Sequence, residues 1–393
     1  MIETLVIPFW NACPSAGARL LGLDFDDRVA LQAQKLGFKQ VITRLGPGEA
    51  TQLPEVFLVL FPDVLLSDGA WKRLSALQPE PETLTLVNGL DSLAAVRCSD
   101  RQFLFSAFET CEKHRDLLTK LKARLGCKRI SLGEQDWVSF QSEGDRARVE
   151  RWLLHGLIKE SEGFMSRHLE RKISLAATRR LVETRITPNE MTLVSIGIGL
   201  IGALFLAGPR RSQHLLGAIL FWLHSVLDGC DGELARLKFA ESRWGGLIDF
   251  WGDNLVHSAV FSAIATNLHA KSPGPTPFRL AASAVAGTLL SAALVYRTTM
   301  KETKSDGPLF TSVVHASALG ENESNSIARI ADRLARRDFI YLVVGLAILG
   351  KVKWFLGMGA IGAPLYFLVL TALSLKNSSA GSHPIASHRL YNE

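Results

Sequence analysis

Six charge-free stretches in the second half of the chain constrain its fold more than any other feature. They cover residues 191–209, 212–227, 254–270, 280–296, 339–350 and 354–375. A membrane-spanning helix needs roughly 20 mainly apolar residues, so the shorter stretches must extend into flanking polar residues to cross a bilayer. The pattern predicts six transmembrane helices. A buried soluble helix is the alternative for the shortest stretch, 339–350.

The charge distribution divides the chain into two parts. Of the first 186 residues 50 are charged, against 32 of the last 207. The net charge of +6 and the pI near 9.1 belong to a chain that is 47% hydrophobic. This combination favours attraction to an anionic membrane surface over binding of nucleic acid. We therefore expect membrane lipid, and no nucleic acid, as a partner.

The orientation in the membrane is inferred from the first residues and from the basic residues. The segment MIETLVIPFW lacks the basic and apolar regions of a secretory signal, which favours a cytoplasmic first half. Counting helices from there places 228–248, 298–337 and the C-terminal end on the inner side, which carries more basic residues than the outer loops. The sequence thus predicts an integral protein of the cell inner membrane, with its first domain and active site cytoplasmic.

Residues 1–150 alternate short apolar runs with helical patterns, which predicts an α/β sheet domain. The predicted strands lie at 5–9, 40–45, 56–62 and 83–87, and the predicted helices lie near 26–37, 69–77, 106–125 and 144–162.

A linking segment, residues 151–186, joins this domain to the membrane half. Its apolar residues recur every fourth position, with basic residues between them, which predicts an amphipathic helix at the membrane interface. The members of this apolar stripe are Met165, Leu169, Ile173, Ala177 and Leu181. A solvated helix packed on the first domain is the alternative. Residues 187–376 are predicted to form an all-α membrane domain, and 377–393 a polar tail.

Four aspartates cluster where two of the predicted membrane helices approach each other. Asp228 and Asp231 are three positions apart, and Asp249 and Asp253 are four apart, so each pair shares one helix face. Ionised carboxylates near hydrocarbon cost a few kcal/mol each unless a cation compensates them. Ligands that are all oxygen favour Mg²⁺ or Mn²⁺, and four carboxylates from two helices suffice for two such ions.

Small and basic residues surround these acids. Gly232, Ala235 and Gly245 would let a bulky anionic substrate approach the backbone, and Arg236 and Lys238 would contact its phosphates. His224 and His257 flank the cluster, where packing is the more common role for a histidine on a helix.

The spacing Asp228-x2-Asp231-Gly232-x2-Ala235-Arg236-x8-Gly245-x3-Asp249-x3-Asp253 resembles the complete signature of the CDP-alcohol phosphatidyltransferase family. The resemblance implies a six-helix membrane transferase that attacks a CDP-linked donor with an alcohol acceptor and releases CMP.

The resemblance also implies a role for each position of the signature. Asp228, Asp231 and Asp249 would bind the metal ions, and Asp253 would bind metal or deprotonate the acceptor hydroxyl. The CDP site would be formed by Asp228, Gly232, Ala235, Arg236 and Gly245.

The first domain resembles a nucleotidyltransferase of the sugar-phosphate class, and the domain order resembles that of bifunctional inositol-phosphate cytidylyltransferase/di-myo-inositol-phosphate-phosphate synthases. The glycine-rich turn that holds nucleotide phosphates in such enzymes is replaced by Pro8-Phe9-Trp10-Asn11-Ala12-Cys13-Pro14. We therefore expect a degenerate, catalytically silent domain. A bifunctional enzyme that also makes the CDP-alcohol from CTP is one alternative, and a transporter that uses intramembrane acids is another.

Three arginines are candidates for binding the acceptor. Arg297 ends the fourth predicted membrane helix, and Arg336 and Arg337 precede the fifth, all on the predicted inner side. Guanidinium groups bind phosphate through paired hydrogen bonds, which predicts a phosphorylated polyol as acceptor. The alternative is that these residues only reflect the usual excess of basic residues at cytoplasmic helix ends. A homodimer is compatible with the sequence, which does not fix the oligomeric state.

Overall fold

The computed structural model describes residues 2–7, 17–42, 53–60, 63–88, 90–111, 114–158, 166–299 and 339–379. The chain forms two compact units, Met1–Gly156 and Leu157–Leu390. The boundary between the two units falls inside the linking segment 151–186.

The first unit is built on a mixed six-stranded sheet, as the alternating pattern predicts. The strands of this unit are β1 (Thr4–Val6), β2 (Arg19–Leu20), β3 (Leu23–Asp24), β4 (Gln40–Ile42), β5 (Val56–Leu60), β6 (Val64–Leu66), β7 (Thr83–Asn88), β8 (Leu90–Arg97), β9 (Gly126–Ser131) and β10 (Trp137–Ser139). The main sheet has the order β4-β1-β5-β8-β7-β9. β1 is parallel to β4 and β5, β8 is antiparallel to β5 and β7, and β9 is parallel to β7.

Both faces of the main sheet are covered. Side chains alternate along β5, so that Leu58 and Leu60 enter one apolar cluster and Phe57 and Val59 enter another. Neighbouring strands, loops and helices supply the remaining residues of the two clusters. This two-sided burial explains why β5 is an uninterrupted apolar run in the sequence.

The helices of the first unit are α1 (Phe25–Lys35), α2 (Asp68–Ser75), α3 (Arg101–Thr110), α4 (His114–Arg124) and α5 (Arg146–His155). The single helix predicted near 106–125 is wrong, because Cys111 is buried in an extended conformation and separates α3 from α4. The helix predicted near 144–162 is shorter than expected, and α5 ends at His155.

The second unit is entirely helical in its described residues. Its helices are α6 (Arg171–Leu181), α7 (Pro188–Leu206), α8 (Arg211–Leu237), α9 (Arg243–Lys271), α10 (Thr276–Thr299), α11 (Phe339–Ile348) and α12 (Lys353–Ser379). α7 begins with the expected capping box, in which Thr187 and Glu190 bond each other's backbone N–H groups.

Each of the six charge-free stretches is helical over most of its length, and four lie mainly in helices that are long and apolar enough to cross a membrane. These four spans are Pro188–Leu206, Arg211–Leu237, Thr276–Thr298 and Lys353–Leu375. α9 is long but less apolar, since it carries acidic, amide and imidazole side chains, and the ten described residues of α11 cover about 15 Å. The structure thus defines an integral membrane unit and supports four of the six expected spans.

Helices α7 and α8 approach so closely that a side chain would not fit between them. A Cβ atom at Gly217 would lie 2.6 Å from the carbonyl oxygen of Gly202 and 2.9 Å from the backbone nitrogen of Leu206. The glycine therefore fixes the distance between these two helices, and with it the position of the acidic end of α8 relative to the start of α7.

The linking segment contains α6, which packs against α8 through a polar face. Ser174 and Thr178 are buried in this contact. Of the apolar stripe, Leu169 and Ile173 are exposed and Ala177 and Leu181 are half-buried. Exposed apolar side chains next to exposed basic residues are typical of a helix at a membrane interface. Within the described residues, this arrangement favours the interfacial interpretation, and Met165 lies outside them.

Candidate active site

The candidate site lies where α8 ends and α9 begins. Phe239 adopts a left-handed conformation with φ of 51° in the turn between them, and the Ser242 hydroxyl caps α9 by accepting a 3.0 Å hydrogen bond from the Gly245 N–H. The chain therefore reverses direction within five residues. This reversal brings the last turns of α8 next to the first turns of α9.

The reversal gathers three of the four predicted acidic residues. Carboxylate oxygens of Asp228, Asp249 and Asp253 all lie within 4.8 Å of one another. Asp228 is buried, and the other two are half-buried. Three like charges this close in a region of low dielectric repel one another strongly, so the arrangement favours occupation by a cation.

Asp231 is held by different partners. One of its carboxylate oxygens accepts a 2.5 Å hydrogen bond from the Thr192 hydroxyl of α7, and the other accepts one from the Gly232 N–H. The Asp231 side chain is buried beside Asp228, outside the group of three oxygens that lie within 4.8 Å of one another.

The other signature residues surround the same turn. Gly232, Ala235, Arg236 and Gly245 are all half-buried. A Cβ atom at Gly245 would lie 2.7 Å from Oδ1 of Asn189, so the start of α9 lies close to the start of α7 and a side chain at this position would displace the Asn189 amide. The Lys238 ammonium donates to the carbonyl oxygens of Thr184 and Ile186 at 2.9 and 2.8 Å, which ties the end of α8 to the segment before α7.

Two histidines border the acidic group. His224 is buried, with Nδ1 3.0 Å from the Ser195 carbonyl oxygen and Nε2 3.4 Å from Oδ1 of Asp253. The ring of His257 packs edge-on against Phe221. The packing role expected for these histidines fits His257, whereas His224 also contacts a signature carboxylate.

The arginines predicted to bind the acceptor are not gathered by the described structure. Arg297 is exposed near the end of α10. Arg336 and Arg337 lie outside the described residues.

Thr192 and Glu233 are two residues of the site region that the sequence reasoning missed. Thr192 lies four residues after Pro188, so the start signal of α7 already placed it in the second turn. Glu233 occupies a variable position inside the signature and accepts hydrogen bonds only from α6 among the bonds resolved for it. Neither sequence feature identifies the residues that Thr192 and Glu233 contact.

Comparison with known proteins places the site in a class. Residues 185–379 match the family model described as CDP-alcohol phosphatidyltransferase. The apolar helices and the match to this family model together define an integral membrane protein of a transferase class. Through this domain the chain belongs to the CDP-alcohol phosphatidyltransferase family, as its signature predicts.

Curated relatives match over part of their length. The bifunctional IPC transferase and DIPP synthase of Thermococcus kodakarensis is 37% identical over 130 residues, which cover 33% of this chain and 29% of that protein. The phosphatidylinositol phosphate synthase of Corynebacterium glutamicum is 33% identical over 85 residues, which cover 21% of this chain and 37% of that protein. The chain thus spans about a third of the length of these relatives.

A solved structure is also similar. The crystal structure of Mycobacterium tuberculosis phosphatidylinositol phosphate synthase with CDP-DAG bound aligns with a TM-score of 0.34 and 19% identity, covering 56% of this chain and 98% of that one.

Proposed function

We propose that this protein is a membrane phosphotransferase that moves a substituted phosphate from a CDP-linked donor to an alcohol acceptor and releases CMP. The observation that carries the proposal is the meeting of Asp228, Asp249 and Asp253 within 4.8 Å, inside a domain of this family. The reaction contributes to the synthesis of phospholipids or of polar phosphodiesters.

The residues present fit a divalent cation. Oδ1 of Asp249 is buried and has no hydrogen-bond partner among the described residues, as expected for an oxygen reserved for a ligand. Asp228, Asp249 and Asp253 would hold Mg²⁺ or Mn²⁺, and Asp231 would complete a site for two ions. Bound there, the ions supply positive charge for the donor pyrophosphate and for the departing CMP.

The protein side chains perform the remaining steps. Arg236 contacts the donor phosphates, and Gly232, Ala235 and Gly245 leave room for the CDP group beside the backbone. Asp253 accepts the proton of the acceptor hydroxyl as that oxygen attacks phosphorus. The oxygen–phosphorus bond to the acceptor forms while the bond to the CMP oxygen breaks, so no covalent enzyme intermediate is required.

The test is a matrix of purified full-length protein with CDP-diacylglycerol or CDP-inositol as donor and free or phosphorylated polyols as acceptor. We expect CMP release with at least one pair in Mg²⁺ or Mn²⁺, and none with EDTA or with Asp228→Ala or Asp249→Ala. Undiminished CMP release in excess EDTA would contradict the metal-dependent mechanism. Ion flux without any CMP release would favour a transporter.

We further propose a phosphorylated polyol, such as an inositol or glycerol phosphate, as the acceptor. The curated relatives are named as an IPC transferase and DIPP synthase and as a phosphatidylinositol phosphate synthase, which supports this choice. Arg297 is available to bind the acceptor phosphate because it is exposed and follows the Trp251–Tyr296 aromatic contact between α9 and α10. Arg336 and Arg337 would join it.

Kinetics test this assignment. Arg297→Ala should raise the KM for the acceptor several-fold and leave the KM for the donor near its wild-type value, because the metal group is untouched. Arg279→Ala, at the other end of α10, is the matched control. Equal effects of Arg297→Ala on both KM values, or efficient use of the unphosphorylated polyol, would remove the acceptor assignment and leave the phosphotransferase assignment in place.

The proposed location is the cell inner membrane, with the first domain and the active site on the cytoplasmic side. The basic residues of the loops and of α6 support this orientation. We propose that the first domain, a degenerate nucleotidyltransferase-like domain, serves assembly or nucleotide sensing.

A further inference from the structure

Glu233 is a fully buried carboxylate inside the signature segment, and its three resolved hydrogen bonds all reach α6. It accepts from Nη1 of Arg171 at 2.6 Å, from the Ser174 hydroxyl at 2.7 Å and from the Thr178 hydroxyl at 2.6 Å. These partners are spaced by three and four residues, so they form one face of α6. The carboxylate therefore bonds one helix face over two turns.

The position of Glu233 on α8 sets it apart from the proposed metal ligands. At 3.6 residues per turn, Glu233 lies roughly 170° around the helix from the mean direction of Asp228 and Asp231. Its side chain therefore leaves the helix on the opposite face and does not join the acidic group. Glu233 contacts α6, whereas Asp228 and Asp231 face the start of α7 and α9.

The neighbouring residues of α8 show how close this contact is. A Cβ atom at Gly229 would lie 3.2 Å from Nη1 of Arg171, and the Cys230 thiol donates to the Ser174 carbonyl oxygen at 3.6 Å. Gly229, Cys230 and Glu233 thus form a continuous seat for α6 directly behind the ligand-bearing face. A change in this seat must rotate or shift the last turns of α8, because close-packed interiors transmit strain.

The chemistry of the seat makes it rigid. A buried ion pair is costly unless further hydrogen bonds satisfy it, and here two hydroxyl groups do so. Removal of one charged partner leaves the other buried and unpaired, which is strongly unfavourable. The contact therefore holds α8 in one rotational setting.

We propose that Glu233 is a positioning residue for the metal site, which it serves by clamping α6 against the back of α8 so that Asp228 and Asp231 face Asp249 and Asp253. The inference rests on the proposed function, since it assumes that these aspartates bind a divalent cation. Groups that hydrogen-bond directly to metal ligands typically change metal affinity by about 10–100-fold when they are altered, and a residue that acts through helix packing is expected at the lower end of this range.

The experiment measures Mn²⁺ binding to the full-length protein in detergent by the loss of the free Mn²⁺ EPR signal, without any substrate. We expect Glu233→Gln to weaken Mn²⁺ binding about tenfold at a temperature where the protein remains folded. Thr178→Val removes one of the three hydrogen bonds, is a milder change if Glu233→Gln fails to fold, and should weaken binding in the same direction. Hydrogen exchange in residues 171–181 should accelerate in both variants.

A matched control separates positioning from general destabilisation. Asn267 is also buried in the second unit, where its side-chain amide donates to the Gly208 carbonyl oxygen far along α9. Asn267→Ala should lower the melting temperature and leave Mn²⁺ affinity unchanged. The double variant Arg171→Gln/Glu233→Gln should weaken Mn²⁺ binding by less than the product of the factors measured for the two single variants, because both substitutions remove the same contact.

The outcomes distinguish this inference from the proposed function. Absence of Mn²⁺ binding to the wild type, or binding that survives Asp228→Ala and Asp249→Ala, would overturn the metal centre itself. Wild-type binding that depends on these aspartates but is unchanged in folded Glu233→Gln and Thr178→Val would overturn the positioning role alone.

Discussion

At the scale of a single residue, Asp253 has two roles in the proposed reaction, metal binding and proton acceptance. Its carboxylate lies within 4.8 Å of those of Asp228 and Asp249, and its Oδ1 lies 3.4 Å from Nε2 of His224. As the base of the proposed reaction, it accepts a proton that an amide cannot accept. We therefore expect Asp253→Asn to lower kcat by about 10²–10⁴-fold, the usual contribution of positioned proton transfer.

Metal binding supplies the control for this prediction. An amide oxygen can still ligate a hard cation, so Asp253→Asn should retain Mn²⁺ binding by EPR, whereas Asp249→Ala should lose it. Turnover at the wild-type rate in Asp253→Asn would assign the base to another group.

The sequence predicted the acidic group better than it predicted the residues that hold this group in place. The spacings of three and four residues fix which aspartates share a helix face, and those spacings are visible without a structure. The hydrogen bond from Thr192 to Asp231 depends instead on how α7 packs against α8, and the bonds to Glu233 depend on α6. Such partners lie 39 and 59 positions apart, where no local pattern links them.

At the scale of helices, Gly217 determines how close α7 and α8 come. In Gly217→Ala the new methyl group would meet backbone atoms of α7, which cannot move as a side chain can. Overpacking of this kind costs about 1–3 kcal/mol, so we expect a lower melting temperature and weaker Mn²⁺ binding. Both can be measured on the same detergent-solubilised sample.

Gly197→Ala is the matched control, because it changes the same residue type in α7 where a Cβ atom meets nothing within 4 Å. Alanine favours a helix over glycine by up to about 1 kcal/mol, so this variant should melt at the wild-type temperature or above. Equal destabilisation by both substitutions would mean that the close contact of α7 with α8 does not account for the loss of stability in Gly217→Ala.

Element boundaries were predictable where charge or caps mark them. Thr187-Pro188-Asn189-Glu190 defines the start of α7, and four of the six charge-free stretches fall entirely within a helix, while 191–209 and 339–350 run two or three residues past a helix end. The break between α3 and α4 was not predictable, since the residues before Cys111 and those after it both suit a helix. The helix breaks there because Cys111 is buried in an apolar cluster against the sheet, and that burial is a tertiary effect.

At the scale of the whole molecule, the difference in charge density between the two halves of the chain corresponds to the two compact units. The sheet of the first unit was predictable from its alternating pattern, but the order of its strands was not, because β8 inserts between β5 and β7. The membrane unit was predictable because a bilayer requires long apolar helices. A nucleotide-handling role for the first unit depends on a phosphate-binding turn, and the residues at that place lie outside the described structure.

The two-unit organisation leads to a prediction about CTP. In the full-length protein, incubation with CTP and a phosphorylated polyol should release no pyrophosphate, because Pro8 to Pro14 replaces the glycine-rich turn whose amides would hold the triphosphate. Asp228→Ala is the useful background, since it disables the membrane unit and leaves the first unit unchanged. Pyrophosphate release that persists in this variant would show that the first unit makes the CDP-linked donor itself. If there is none, while the wild type uses an added CDP-linked donor, the donor must come from a separate cytidylyltransferase reaction.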